Sequence, residues 1–235
     1  QMWSTFMSKN IKWNFSDKKV LVVGNSKGIG SQVFANFVAA GADVYGINSS
    51  NCDISNTDDI DRFFTYELPD ELDILVNVAG INFTNKIEEV SVDEWDKVID
   101  TNLRSFFYIT KQALWIMPDG GRIVNVSSIA GRNKSIGNSG VHYTASKAGI
   151  IGLTKQIAHE VGSRDICVNA VCPSQTKTNM LAKSMTQDEI EELGKSIPLQ
   201  RIAEVPEVVY PILFLCSGEA SYITGTTLDV NGGQL

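Results

Sequence analysis

The chain has 235 residues, 43% of them apolar, and a formal net charge of −7, enough length for one sizeable α/β core and too acidic a balance for a nucleic-acid surface. No basic patch is interleaved with aromatics and no run approaches the length of a membrane span, so neither nucleic acid nor membrane is expected as a partner. The four cysteines, Cys52, Cys167, Cys172 and Cys216, form no C-x-x-C pair, which fits buried small side chains in a reducing compartment and a cytoplasmic location. No metal site is expected. The opening QMWSTFMSKNIKW lacks the basic-then-apolar order of a secretory signal. Residues 1–10 are expected to be a tag or disordered leader, with Met7 a candidate native start.

From Lys18 onward, continuous apolar runs alternate with amphipathic stretches. The runs KKVLVVG, ADVYGI, LDILVNVAG, GRIVNVSS, DICVNAVCP and TTLDVNGG have the pattern of strands buried on both faces. The stretches 30–40, 57–68, 91–117, 142–162 and 206–217 have the pattern of helices. This alternation predicts a doubly wound parallel sheet of the Rossmann type, with helices on both faces and right-handed crossovers. No linker or repeat divides the chain, so one domain over 1–235 is expected. Only NSSN separates the second strand, ending near Ile47, from CDI. A parallel crossover needs a dozen or more residues, so the third strand usual in such sheets is expected to be missing or vestigial.

The first strand runs into VVGNSKGIGSQ, where Gly24, Gly28 and Gly30 stand in a G-x-x-x-G-x-G spacing. A glycine turn between the first strand and first helix is where a dinucleotide fold holds a pyrophosphate, against the unpaired N–H groups of the helix. Further on, HYTASKAGI places Tyr143 and Lys147 four apart, on one face of a helix. A tyrosine is a poor base near neutrality, and a neighbouring ammonium makes proton exchange with an alcohol or ketone feasible by favouring the phenolate. Ser127 and Ser128 end the strand GRIVNVSS at the carboxyl edge, where such sheets bind ligands.

Taken in order, GNSKGIG, CDI, NVAG, TNL, VNVSS, YTASK, VNAVCPSQTKT and YITGTTLDVNGG resemble the short-chain dehydrogenase/reductase family along almost the whole chain. The pattern is closest to 3-oxoacyl-carrier-protein reductase-like members. The resemblance implies a nicotinamide cofactor and an oxidoreductase, with Tyr143 as proton donor or acceptor and Lys147 lowering its pKa and holding the nicotinamide ribose. Ser128 would orient the substrate carbonyl, with Ser127 the less favoured substitute, and Asn102 would help build a proton relay through water. Gly24, Gly28, Ile29 and Gly30 would sit at the pyrophosphate, with Ser26 and Lys27 also binding the cofactor. Asp53 would meet the adenine, with Ile54 also binding the cofactor, and Asn77, Ala79 and Gly80 would line the nucleoside. Pro173, Thr176 and Thr178 would lie by the nicotinamide. A homotetramer or dimer is also implied.

An acid at the end of the second strand would favour NAD, but Asn48, Ser49 and Ser50 stand there, and Lys27 can add positive charge. NADP(H) is therefore the expected cofactor, with NAD(H) as the alternative. Three departures from the family pattern stand out: Val23 replaces a threonine whose hydroxyl ties the turn to the third run, Val78 replaces an asparagine, and Ser174 replaces a glycine. The loop from Gly131 to His142 is slightly longer than usual. His142 is read as structural and His159 as solvated. Residues 179–197 read as a helical lid. The expected substrate is a small ketone or secondary alcohol; a carrier-bound 3-oxoacyl thioester, NAD-dependent alcohol or dihydrodiol oxidation and a non-catalytic dinucleotide-binding scaffold are the rivals. Intact Ser128, Tyr143 and Lys147 speak against the scaffold. Where close relatives carry basic residues to meet a carrier, WIMPDGGR retains only Arg122, with Arg164 the one other candidate.

Overall fold

The structure, a computed structural model, describes residues 12–132, 139–178, 181 and 186–235. The expected leader 1–10, the middle of the Gly131–His142 loop, and residues 179–180 and 182–185 of the expected lid lie outside them.

Six strands arise from the six apolar runs: β1 Lys19–Val23, β2 Asp43–Ile47, β3 Ile74–Asn77, β4 Arg122–Val126, β5 Cys167–Pro173 and β6 Thr227–Val230. All pair in parallel, in the order β2-β1-β3-β4-β5-β6. The order reverses at β1, so the connections leaving the carboxyl ends of the paired strands β1 and β3 part to opposite sides and leave a crevice there. The helices are α1 Gly28–Ala39, α2 Thr57–Tyr66, α3 Val92–Ile99, α4 Ser105–Ile116, α5 Val141–Val161, α6 Gln187–Ser196 and α7 Val205–Cys216. Strand side chains alternate between faces. Val20, Val22, Ile74 and Val76 pack with Phe37 of α1 and Ile212 and Leu213 of α7. Leu21, Val23 and Leu75 pack with Ile60 of α2, Ile109 of α4 and Ile157 of α5.

No strand follows β2 before α2, as the four-residue spacing requires. Asn51 and Cys52 instead donate their N–H groups to the Asn48 carbonyl at 3.1 and 3.0 Å, and the chain turns along the upper edge of the sheet. The loss makes β2 an edge strand. Burial on both faces therefore holds for β3, β4 and β5 and nearly all of β1, whereas β2 and β6, each with one strand neighbour, are partly exposed.

The stretch 91–117 is helical from Val92 to Ile116, as expected, but not uniformly wound. A π-turn over Asp100–Arg104 separates α3 from α4. Within it, the Asn102 carboxamide accepts from the Ile81 N–H at 2.8 Å and donates to the Ile81 carbonyl at 2.9 Å. Such turns insert an extra residue to re-aim a side chain. This one points Asn102 at the chain leaving β3. Among the described residues, no helix is long and apolar enough to cross a membrane.

Candidate active site

The turn from β1 to α1 is built on backbone. Val23 has no hydroxyl to offer, but its carbonyl accepts from Val78 N–H at 2.9 Å and Ala79 N–H at 3.0 Å, and Gly24 N–H donates to Ile47 at 2.7 Å. Both neighbouring strands thus hold the turn without the family's threonine. Gly24 sits at φ +95°, and a Cβ there would stand 2.7 Å from Ala79 N. A Cβ on Gly30 would stand 2.1 Å from the Gly24 carbonyl oxygen, so α1 packs directly on the turn. The N-terminus of α1 has no side-chain cap and no acidic residue in its first turn, leaving its amides and partial positive charge for an anion.

At the end of β2 the hydrogen bonds differ from the simplest reading. Asn48 Nδ2 donates to Asn25 Oδ1 at 3.0 Å, and Asn48 Oδ1 accepts from both the N–H and the hydroxyl of Ser50, at 2.9 and 2.5 Å. Asn48 and Ser50 are therefore engaged with each other and with the glycine turn. Asn48, Ser49 and Lys27 all line the cavity, and Ser49 and Lys27 stay exposed. Asp53 reaches the same rim, with Oδ1 accepting from the N–H and hydroxyl of Ser55 at 3.0 and 2.7 Å.

From the end of β3, Val78, Ala79, Gly80 and Ile81 line the cavity, and Asn77 does not. Asn77 is fully buried, and its Nδ2 donates to Asn125 Oδ1 at 2.9 Å, within a polar ladder that continues to Thr154. Asn102 is also fully buried behind Ile81, and its Nδ2 lies 3.2 Å from the Ser146 hydroxyl.

Ser127 and Ser128 diverge at the end of β4. The Ser127 hydroxyl is buried and donates to the Lys147 carbonyl at 2.6 Å. Both residues line the cavity, and the Ser128 side chain caps the Ala130 N–H at 3.1 Å. Tyr143 faces it from α5. Burial pushes the Tyr143 phenol above its ordinary pKa, and a hydrogen bond with Ser128 pulls the other way. Lys147 is buried, donates to the Val126 carbonyl at 2.9 Å, and is lowered by that burial to about 8. Burial thus outweighs the expected lowering of the tyrosine and keeps the phenol in its protonated form near neutrality. Gly80 leaves room beside the lysine, for a Cβ there would meet Lys147 Nζ at 3.4 Å.

Pro173 at the end of β5, with Thr176 and Thr178 beyond it, forms the opposite wall, with Gly28 facing Thr178 across it. The wall is pinned where Lys177 N–H donates to Ala203 at 2.9 Å and Ala203 N–H to Gln175 at 3.0 Å. The whole makes one cavity of about 640 Å³, running from Asp53 and Ser49 past the glycine turn to Ser128 and Tyr143. Ile81, Ser139 and Leu193 also line it. Two of them carried a sequence signal: Ile81 follows NVAG directly, and Leu193 lies in the expected lid. The elongated shape, the glycine cradle and the uncapped helix fit a dinucleotide.

A tyrosine and a buried lysine at the far end of a dinucleotide cavity are the mark of NAD(P)-dependent oxidoreductases acting on CH–OH groups. Comparison with known proteins agrees. A family model described as enoyl-(acyl carrier protein) reductase matches residues 23–234. The 3-oxoacyl-[acyl-carrier-protein] reductase FabG of Salmonella typhimurium is 36% identical, over 94% of this chain and 98% of that one. The acetoacetyl-CoA reductase of an Acinetobacter species is 42% identical over 69% of this chain and 65% of its own length. Among solved structures, the aldohexose dehydrogenase of Thermoplasma acidophilum superposes with a TM-score of 0.81 at 36% identity, covering 93% of this chain and 94% of that one. The chain belongs to the short-chain dehydrogenase/reductase family.

Proposed function

We propose that this enzyme is an NADP(H)-preferring reductase that interconverts a ketone and a secondary alcohol on a free small molecule, with Tyr143 as proton donor and acceptor. The observation that carries the reading is the convergence of the Tyr143 phenol, the Ser128 hydroxyl and the buried Lys147 ammonium at one end of the cavity. When bound, the nicotinamide supplies or accepts the hydride. Ser128 orients the substrate oxygen, and Tyr143, held protonated by burial, donates to that oxygen during reduction. Lys147 places positive charge beside the phenolate left behind. Asn102 fixes Ile81 and the backbone next to it, and so shapes the floor of the site.

Ser49 and Lys27 support the NADP(H) preference, because neither is engaged by the Asn25–Asn48–Ser50 chain and no acid terminates β2. The two arginines a carrier protein could meet are occupied in holding the fold. Arg122 donates to the carbonyls of Gly120 and Gly121 at 2.7 and 2.9 Å. Arg164 donates to the carbonyls of Leu114 and Met117 and pairs with Asp119. The lid helix α6 carries Asp188, Glu189, Glu191 and Glu192 against a single lysine, Lys195. An acidic carrier would be repelled there. The reading includes a cytoplasmic homo-oligomer, supported by Phe107 and Trp115, which stand exposed on α4. Following NADPH oxidation against grouped free ketones and thioesters, for wild type and Tyr143→Phe, tests it. Turnover of ketones that disappears in the variant is the expected result.

A further inference from the structure

His142, next to the proposed proton donor, is fully buried and is absent from the cavity wall. Both of its ring nitrogens are engaged. Nδ1 accepts the backbone N–H of Tyr143 at 2.8 Å, so it carries no proton. Nε2 therefore bears the hydrogen and donates it to Glu94 Oε1 at 2.8 Å. Glu94 belongs to the first turn of α3, where its own N–H is capped by Ser91 at 3.1 Å, and its second oxygen accepts from Asn85 Nδ2 at 2.7 Å. A continuous chain of hydrogen bonds thus runs from α3 through the imidazole to the main chain of Tyr143.

The local sequence requires this arrangement. Helix α5 begins after Gly140, which has no side chain to cap it, and the first intrahelical bond is Thr144 N–H to the Gly140 carbonyl at 3.1 Å. The Tyr143 amide lies in the turn whose N–H groups have no helical acceptor. The imidazole supplies that acceptor. Gly140 also makes the space, since a Cβ there would stand 2.3 Å from His142 Cε1 and 2.5 Å from the Phe83 carbonyl oxygen.

We propose that the Glu94–His142 pair is a positioning device for the reaction: it caps the Tyr143 amide and anchors the first turn of α5 to α3, so that the phenol meets the substrate oxygen at a fixed place. The proposal rests on the reading of Tyr143 as proton donor. His142 is a positioning residue, touching neither substrate nor cofactor. It acts through the Nδ1 acceptor, and Glu94 acts by holding the ring's orientation.

Two isosteric substitutions separate the ring's two bonds. In His142→Asn the carboxamide oxygen replaces Nδ1 and keeps an acceptor for the Tyr143 amide; in His142→Gln the amide nitrogen replaces Nε2 and keeps only the bond to Glu94. Glu94→Gln retains an acceptor for the ring, and Glu94→Ala removes it. The measurements are kcat, KM for NADPH and melting temperature for each variant, with Tyr143→Phe in parallel. The expected result is a kcat for His142→Gln about tenfold or more below that of His142→Asn, because small misplacements of a reacting group can cost up to about a hundredfold. KM for NADPH should change little, and Glu94→Gln should retain far more of its kcat than Glu94→Ala. Equal kcat in the Asn and Gln variants, or losses that only track melting temperature, would overturn the positioning role while Tyr143→Phe stays inactive. An active Tyr143→Phe would instead overturn the catalytic reading beneath it.

Discussion

Lys147 holds its ammonium 5.6 Å from the centre of the Tyr143 ring, one turn further along the same buried face of α5. The position suits the chemistry and works against the fold, because burial disfavours a charge. The lysine falls from its ordinary 10.5 to about 8, so between those values the unfolded chain binds a proton that the folded protein does not. Stability contributed by this group therefore rises with pH through that window, and below pH 8 the buried ammonium is a net cost. The shift sets an upper bound of about 3 kcal/mol on that cost. Lys147→Met in the cofactor-free protein is expected to raise the melting temperature at pH 7 by about 2–5 °C, after losing roughly 1 kcal/mol with the bond to Val126. The advantage should shrink as pH climbs towards 10, and turnover should vanish. A variant less stable than wild type at pH 7 would show that the burial cost has been misassigned.

Tyr143→Phe removes one hydroxyl and almost no packing. Turnover is expected to fall by about 10²–10⁴, the usual worth of a positioned proton donor, with the dissociation constant for NADPH within about threefold of wild type. Ser128→Ala should lower kcat strongly too, because the hydroxyl at the cavity end has no substitute: that of Ser127 is committed to the Lys147 carbonyl. Single-turnover assays together with cofactor titration read both effects. Normal turnover in Ser128→Ala would move the orienting role to Ser127.

Much of this site was legible because it rests on local pattern. Six apolar runs became six strands, and the short NSSN spacing was enough to exclude a third strand between β2 and CDI. Side chains placed by contacts between distant segments were harder to read. Asn77 lies in the NVAG motif, but strand alternation turns it to the same face as Leu75, towards α4 and away from the cavity. That alternation is visible in the sequence and outweighs the motif. The π-turn was not visible, since it depends on the paired hydrogen bonds between Asn102 and Ile81, 21 residues apart. The same holds for His142, whose capping role needs Glu94 from another helix.

Cofactor choice turns on the few groups left at the end of β2. A 2′-phosphate would find the Ser49 hydroxyl and the Lys27 ammonium at the cavity rim, with no carboxylate ending β2 to repel it. Lys27→Ala is expected to reduce kcat/KM for NADPH by about five- to fiftyfold, in line with a lost charged hydrogen bond, while changing the value for NADH little. Gly46→Ala provides an independent check. Its new methyl would stand 2.0 Å from Asn25 Nδ2, pushing Asn25 off Asn48 and freeing Asn48 to move. Selectivity between the two cofactors should then change in a variant that alters no group at the rim. Equal use of both cofactors by wild type would remove the NADP(H) preference.

Substrate can reach the cavity free or on a carrier protein. FabG enzymes are named for carrier-bound 3-oxoacyl groups, and one of them shares 36% of its residues with this chain, so a carrier-bound substrate is the serious rival. Docking an acidic carrier needs basic side chains free to leave the protein surface. Arg122 is largely buried against three carbonyls, and Arg164 caps the end of α4 while pairing with Asp119. Moving either arginine to the surface would strand the carbonyl oxygens it now serves, at about 1–3 kcal/mol for each buried group left unpaired. The acidic face of α6 beside Leu193 adds repulsion near the entrance. Free cyclic or polyhydroxylated ketones are therefore expected to be reduced with a higher kcat/KM than a carrier-bound 3-oxoacyl thioester, with little dependence on ionic strength. The assay pairs the carrier-bound thioester with its free short-chain analogue and a ketone panel, each at low and high salt. A carrier-bound substrate that is strongly preferred, and whose advantage falls steeply as salt screens the charges, would refute the free-substrate reading. Arg164→Ala then distinguishes the causes: an arginine that serves the end of α4 destabilises the protein when removed, with no selective loss of carrier-bound activity, whereas an arginine that meets a carrier produces that selective loss.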